Sequence, residues 1–217
     1  MGMYEDLLNG LTNSSCQLQD IFLKLKILAT RLKNTQLKNF VESELNGYDD
    51  TDNLPSYRKV SGVLMGTVEN LAYRRPNITL PTMHLEKEGI KDIQVCVFPD
   101  KIIELEGYSE EKDLNKPIPP EFYDVLSKTL ENGYRVTNAY VPISNAQVKG
   151  VLAGIRNAVL DLMMSMEEQF TQTELDKLFQ NPTKEQLDKA NPIINQFFIT
   201  SFGNSTQNTK IELGNDK

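Results

Sequence analysis

The stretch ISNAQVKGVLAGIRNAVLDLMMSMEEQF, residues 143–170, decides the fold. Its apolar side chains are separated by one, three or four positions, which places them on one face of an α-helix. They are Val148, Val151, Leu152, Ile155, Val159, Leu162, Met163, Met166 and Phe170. Ser144 precedes this stripe and Gln147 stands at the capping-box position. We therefore predict a long central helix over about residues 144–170, at the core of the protein.

The N-terminal region has the same helical periodicity. It predicts a short helix over residues 4–11 and a longer helix that runs to about Leu32, with Asn13, Ser14 or Ser15 as its cap. A third helix follows and ends at Asn46 and Gly47, with Gly47 in the left-handed conformation. The second and third helices should form an antiparallel hairpin.

The middle of the chain is rich in β-branched residues, glycine and proline, which is typical of short strands. We expect a strand over residues 57–69, a second strand or buried run over 93–98, a short extended segment over 134–141, and a loop with some extended structure over 71–85. Residues 101–105 fit either one helical turn or the return arm of a hairpin, and 104–116 is a charged linker. A helix should begin at Pro119 and end at Gly133. The fold class is therefore α+β, mainly helical, with a small set of short strands.

The C-terminal part divides into two regions. Residues 171–202 predict a small helical appendage, with helices over 173–179 and 184–190 that Thr173 and Thr183 would cap. Residues 203–217 are rich in Asn, Thr and Gly and are expected to be disordered or ordered by a partner. Residues 3–170 would then be the main domain.

Composition restricts the classes of function. The net charge is −7 and the pI is about 4.9, so the surface should repel nucleic acid, and the densest basic pair is Arg74 with Arg75. Cys16 and Cys96 lie far apart and outside any CxxC motif, which fits buried thiols of a reducing cytoplasm better than a metal site or a disulfide. No stretch is apolar enough to span a membrane. We expect a cytoplasmic protein.

Recognisable catalytic constellations are missing from the sequence. His84 is the single histidine and has no nucleophile-elbow serine or cysteine to serve. The pairs Gly62/Gly66 and Gly150/Gly154 do not form a phosphate-binding loop, and the second pair should instead admit a close backbone. The paired carboxylates are typical of solvated surface. The sequence therefore disfavours an enzyme and predicts no cofactor and no metal.

One polar patch is the candidate for function. Glu44, Asn46 and Tyr48 surround the turn that ends the third helix, and Tyr57 and Arg58 begin the following strand. The connection between them is too short for a core of its own, so we expect the two motifs to meet. Arg156 is expected to pair with Glu44. The patch fits a structural network or a surface that recognises a partner.

These same residues resemble a known family. ELNGY at 44–48, LPSYR at 54–58 and VLAGIRNAVLDLMMSMEE at 151–168 are similar, in this order, to the AbiTii domain, a module of bacterial abortive-infection and related anti-phage systems. The resemblance covers about residues 3–170. It implies a role in phage defence and carries over no catalytic residues.

Three functions follow as hypotheses. The first is a component of an abortive-infection system, effector or regulator, that works through a protein partner or self-association. The second is an enzymatic toxin such as a nuclease, with Glu44, Arg58 and Arg156 converging in a cleft. The third is a domain that senses a nucleotide or another small-molecule ligand at the same patch.

Overall fold

A computed structural model describes residues 2–111 and 113–203 and confirms a mainly helical α+β fold. The helices are α1 (Met3–Thr12), α2 (Leu18–Leu32), α3 (Thr35–Asn46), α4 (Ile102–Tyr108), α5 (Tyr123–Ser127), α6 (Asn145–Glu167), α7 (Gln172–Leu178) and α8 (Lys184–Phe202). The strands are β1 (Lys59–Ser61), β2 (Met65–Glu69), β3 (Arg74–Thr79), β4 (Val95–Val97), β5 (Leu114–Pro117) and β6 (Arg135–Ile143). None of the helices in the described ranges combines the length and apolar content needed to cross a membrane.

The chain forms two compact units. Among the described residues, the first contains 2–55, 99–104 and 153–203, and the second contains 56–98, 105–111 and 113–152. Both α4 and α6 are therefore divided between the units. The predicted tail over residues 203–217 lies outside the described residues except for Gly203, where α8 ends with a positive φ.

The first unit is helical. α2 packs against α1, α3, α7 and α8, because its apolar stripe is too large to leave in water. The N-cap of α2 is Gln17 instead of the predicted Asn13, Ser14 or Ser15, since the Asn13 side chain accepts from the Ser15 amide and forms a separate turn. Aromatic rings extend the core between α2, α3 and α8. They are Phe22, Phe40, Phe198 and Phe202, with neighbouring centroids 5.4 to 5.8 Å apart.

Asparagine side chains join α8 to the connection before α3. Asn34 caps α3 by accepting a hydrogen bond from the Leu37 amide at 2.8 Å. The amide group of Asn34 then donates to Asn191 at 3.0 Å and to Asn195 at 2.9 Å. α7 and α8 thus belong to the same unit as α1–α3, while the division of the chain after residue 170 stays a prediction.

The C-terminal helices correct two details of the sequence analysis. Thr171 caps α7 through a complete capping box with Glu174, so the choice of Thr173 was wrong, whereas the Thr183 box with Gln186 is confirmed. α8 does not end at residue 190 but continues through Pro192 to Phe202. Its apolar residues Ala190, Ile194 and Phe198 are buried, and this packing outweighs the proline.

The central helix is confirmed. α6 begins after Ser144, which exchanges hydrogen bonds with Gln147, and all of the predicted stripe except half-buried Leu152 is buried. One inference about this helix is wrong. A β-carbon added at Gly150 would meet nothing within 4 Å, so that glycine faces open space and not a close backbone.

The second unit contains the strands. The order β3-β2-β6-β5 forms one antiparallel sheet, and β1 pairs with β4. β3 includes Pro76 because it lies at the sheet edge, where a missing amide donor costs no ladder bond, and the register shifts beside it. The predicted single strand over 57–69 breaks in two: the Gly62 amide still bonds Gln94 beside β4, whereas the carbonyl of Leu64 accepts from Leu80 beyond β3.

Other middle segments also differ from expectation. Residues 102–105 are helical, as one of the two alternatives held, and α4 extends to Tyr108. The expected linker over 104–116 therefore includes helix, and β5 is its second ordered element. The helix expected over 119–133 shortens to a 3₁₀ turn and α5, because the Ser127 hydroxyl accepts from the Val136 amide of β6.

Candidate functional site

The ELNGY turn is a buried anchor of the first unit. Glu44 is fully buried, and the hydroxyl of half-buried Tyr48 donates to its carboxylate at 2.6 Å. The Tyr48 amide donates to the Pro99 carbonyl at 2.8 Å. Gly47 has φ 91° and ψ 170°, so its conformation is extended with positive φ and not the predicted left-handed helical one. A β-carbon there would make a tight contact, 3.1 Å from the Pro99 oxygen, and the positive φ itself favours glycine.

Arg58 of the LPSYR motif is equally buried and belongs to the second unit. Residues 56–58 form a 3₁₀ turn in place of the predicted strand start, with Arg58 fully buried and Tyr57 half-buried. Arg58 and Phe98 bond each other reciprocally: the Phe98 amide donates to the Arg58 carbonyl at 2.9 Å, and Arg58 Nη1 donates to the Phe98 carbonyl at 2.5 Å. The guanidinium thus extends the pairing of β1 with β4 by one residue.

Arg156 does not form the expected pair with Glu44. Its guanidinium instead donates to the carbonyls of Gly10 at 2.7 Å, Leu11 at 3.1 Å and Asn13 at 3.3 Å, and to Cys16 at 2.8 Å. These oxygens belong to the end of α1 and the following turn. Because the last carbonyls of a helix have no partner within the helix and carry partial negative charge, a cation there caps it. Arg156 is therefore a helix cap supplied by α6.

Of the predicted patch, the structure joins Glu44 with Tyr48 and leaves Asn46 exposed on the same turn. That the ELNGY and LPSYR motifs meet stays a prediction, as does a functional role for these residues. The burial of Glu44 and Arg58 is nevertheless informative. Neither group is open to a substrate, and Arg156 already binds carbonyls, so the nuclease constellation gains no support.

His84 fastens a surface turn. Its Nε2 lies 2.9 Å from the Val125 carbonyl of α5, so Nε2 must carry the proton, and Nδ1 is buried without a hydrogen-bond partner. Glu88 on the same turn pairs with Lys128 at 2.8 Å, which lowers the pKa of the Glu88 carboxyl. The neighbouring cleft, of about 840 Å³, is lined by mixed groups that include Thr82, Glu86, Lys91 and Gln94. No group of three metal-ligating side chains occurs in the described residues.

The tip of the β2–β3 hairpin, residues 70–75, was not among the predicted sites. Asn70 fixes this turn: its amide donates to the Tyr73 carbonyl at 2.9 Å, and its side-chain oxygen accepts from the amides of Ala72 at 2.9 Å and Tyr73 at 2.8 Å. The Asn70 side chain also donates to Asn132 at 3.3 Å. The signal in the sequence was an asparagine that can close a turn onto its own backbone, followed by apolar and basic residues.

This fixed tip presents large side chains to solvent. Leu71 is fully exposed at 111%, and Tyr73 is 67% exposed. Arg74 Nε lies 3.0 Å from the Glu69 carboxylate while 71% of the Arg74 side chain is exposed. Arg75 lies over the Tyr134 ring, 5.1 Å from its centroid. The arrangement can offer apolar, aromatic and guanidinium groups together.

Comparison with known proteins gives one finding. The family model described as AbiTii matches residues 2–191, which extends beyond the region of resemblance into α8. Comparisons with curated proteins and with solved structures find no match.

Proposed function

We propose that this chain, which belongs to the AbiTii family, is a component of a bacterial abortive-infection system. It acts by contacting another protein through the hairpin tip. The family name supplies abortive infection. The exposed side chains of the tip would make the contact with the other protein.

The observation that carries the proposal is Leu71, fully exposed on a turn that Asn70 holds rigid. A single exposed leucine is ordinary on a protein surface. Here, however, the leucine is followed within the hairpin tip by exposed Tyr73 and by exposed Arg74 and Arg75 at the start of β3. Tyrosine and arginine are the residue types enriched at the centres of protein interfaces, and a rigid turn loses little entropy on binding.

The exposed side chains contribute little to the fold, which makes the proposal testable. The double variant Leu71→Ala/Tyr73→Ala should keep the melting temperature of the wild type. In a bacterial strain that depends on this chain for protection, phage plating efficiency should rise by about tenfold or more, the scale expected when an interface loses two central residues.

Matched controls lie in the same unit. Met83 and Val63 are 92% and 52% exposed, and neither belongs to the tip. The variant Val63→Ala/Met83→Ala should protect as the wild type does. The proposal fails if the tip variant protects fully, or if the control variant loses as much protection as the tip variant at the same level of protein.

A further inference from the structure

We infer that the partner surface bound by the hairpin tip is an acidic patch on a different protein, an inference that rests on the proposed function. The strand register aligns charged side chains at the base of the tip. Glu69 lies opposite Arg74 of β3 and opposite Arg135 of β6, so the three side chains form a row on one face of the sheet. One carboxylate thus stands between two guanidinium groups, and Arg75, the next residue of β3, adds a third cation on the opposite face of the sheet.

The arginine side chains of the tip are accessible to a partner. Arg74 bonds Glu69 through Nε while most of its side chain faces solvent, and Arg75 and Arg135 are exposed. Exposed ion pairs contribute only about 0–1 kcal/mol, so a partner can replace them readily. Guanidinium groups bind carboxylates bidentately, and the tip can therefore receive carboxylates on either side of Leu71 and Tyr73.

The positive charge of the tip contrasts with the net negative charge of the chain. The chain carries −7 overall, so the arginine-rich tip is a local reversal of the field of the molecule. A polyanion such as RNA would meet repulsion from the rest of the surface and would leave Leu71 without an apolar contact. Two copies of the chain would also repel each other. A protein whose carboxylates surround an apolar recess matches both the arginines and Leu71.

Photo-crosslinking in infected cells tests this inference. With p-benzoyl-phenylalanine in place of Tyr73, the crosslinked peptide, identified by mass spectrometry, should come from another protein and contain Asp or Glu. Arg74→Glu/Arg75→Glu should reduce the crosslink yield about fivefold or more, and Arg74→Gln/Arg75→Gln should reduce it less. The control Lys26→Glu/Arg31→Glu reverses two exposed cations of α2 and should leave the yield unchanged.

The outcomes separate this inference from the proposed function. A crosslink whose yield survives the Arg74/Arg75 reversal would show a contact surface whose partner is not acidic, so only the inference would fail. A crosslink to RNA or to a second copy of this chain would overturn the inference as well. If no crosslink forms and Leu71→Ala/Tyr73→Ala still protects, both the inference and the proposed function fail.

Discussion

The ELNGY and LPSYR motifs and the hairpin tip are opposites in burial. Glu44 and Arg58 have no exposed surface, whereas Leu71 is fully exposed and Tyr73 is two-thirds exposed. Both regions are nevertheless held by hydrogen bonds to the backbone. Tyr48 and Arg58 bond backbone carbonyls at Pro99 and Phe98, and Asn70 bonds the amides of its own turn.

This contrast teaches that the recognisable residues and the accessible residues are different sets. A turn such as Glu44–Tyr48 needs glycine where φ is 91° and the Pro99 oxygen is close, so its residues are restricted by geometry. The exposed tip restricts only Asn70, whose side chain closes the turn. Glu44 and Arg58, which belong to the motifs of the resemblance, are therefore held within the fold, and contact with a partner must be sought where side chains are exposed.

The largest effect should come from Arg58. Arg58→Lys keeps the charge but loses the fork that reaches the Phe98 carbonyl, so the free energy of unfolding in urea should fall by about 1.5–3 kcal/mol. Arg74→Lys is the control and should change it by less than about 0.5 kcal/mol, because Arg74 is exposed. Protection should fall only with the amount of folded protein. If protection were lost while the unfolding midpoint stayed unchanged, the buried LPSYR motif would be a recognition surface. The distinction between a buried structural region and an exposed contact region would then not hold.

The strands that support the tip should be less tolerant than the central helix. At Gly66 of β2 an added β-carbon would lie 2.5 Å from the Asn138 carbonyl oxygen of β6, so Gly66→Ala should cost about 1–3 kcal/mol. Gly150→Ala meets open space and should instead stabilise α6 by about 1 kcal/mol. Thermal denaturation of both variants measures the difference. Equal shifts in one direction would show that the close approach at Gly66 is misplaced.

The smallest effect on stability should come from Asn70. Asn70→Ala removes the acceptor for the Ala72 and Tyr73 amides, and because water can replace it the cost should be about 0.5–1 kcal/mol. Hydrogen exchange at those two amides should accelerate. Protection of the cells against phage should fall about 2- to 10-fold because the tip is no longer ordered before binding. Asn70→Asp retains the acceptor oxygen and should behave more like the wild type. Unchanged exchange in Asn70→Ala would remove the argument for a preorganised tip.

The helices were predictable from the sequence because their signals are local. Apolar spacing placed α6, and side-chain caps such as Ser144 and Thr183 marked where helices begin. Thr171 was missed in favour of Thr173 because both are threonines near the same helix start, and only the capping box with Glu174 decides between them.

The strands and the candidate site depended on contacts between distant residues. The chain changes strand partner between Gly62 and Leu64, which no local pattern indicates because β-branched residues occur on both sides of the change. Arg156 was expected to pair with Glu44, whereas it caps α1 from more than a hundred residues away in sequence. Sequence alone also could not show that Leu71 is exposed while Leu64 is buried.

The most direct test of the account compares protection per folded molecule in two variants, Arg58→Lys and Leu71→Ala/Tyr73→Ala. Protection, taken as the fold reduction in phage plating efficiency relative to cells without the chain, would be divided by the amount of folded protein, measured in the same cells by limited proteolysis. The account predicts wild-type protection per folded molecule for Arg58→Lys and a loss of about tenfold or more for the tip variant. The reverse result, with full protection from the tip variant and loss in folded Arg58→Lys, would contradict it.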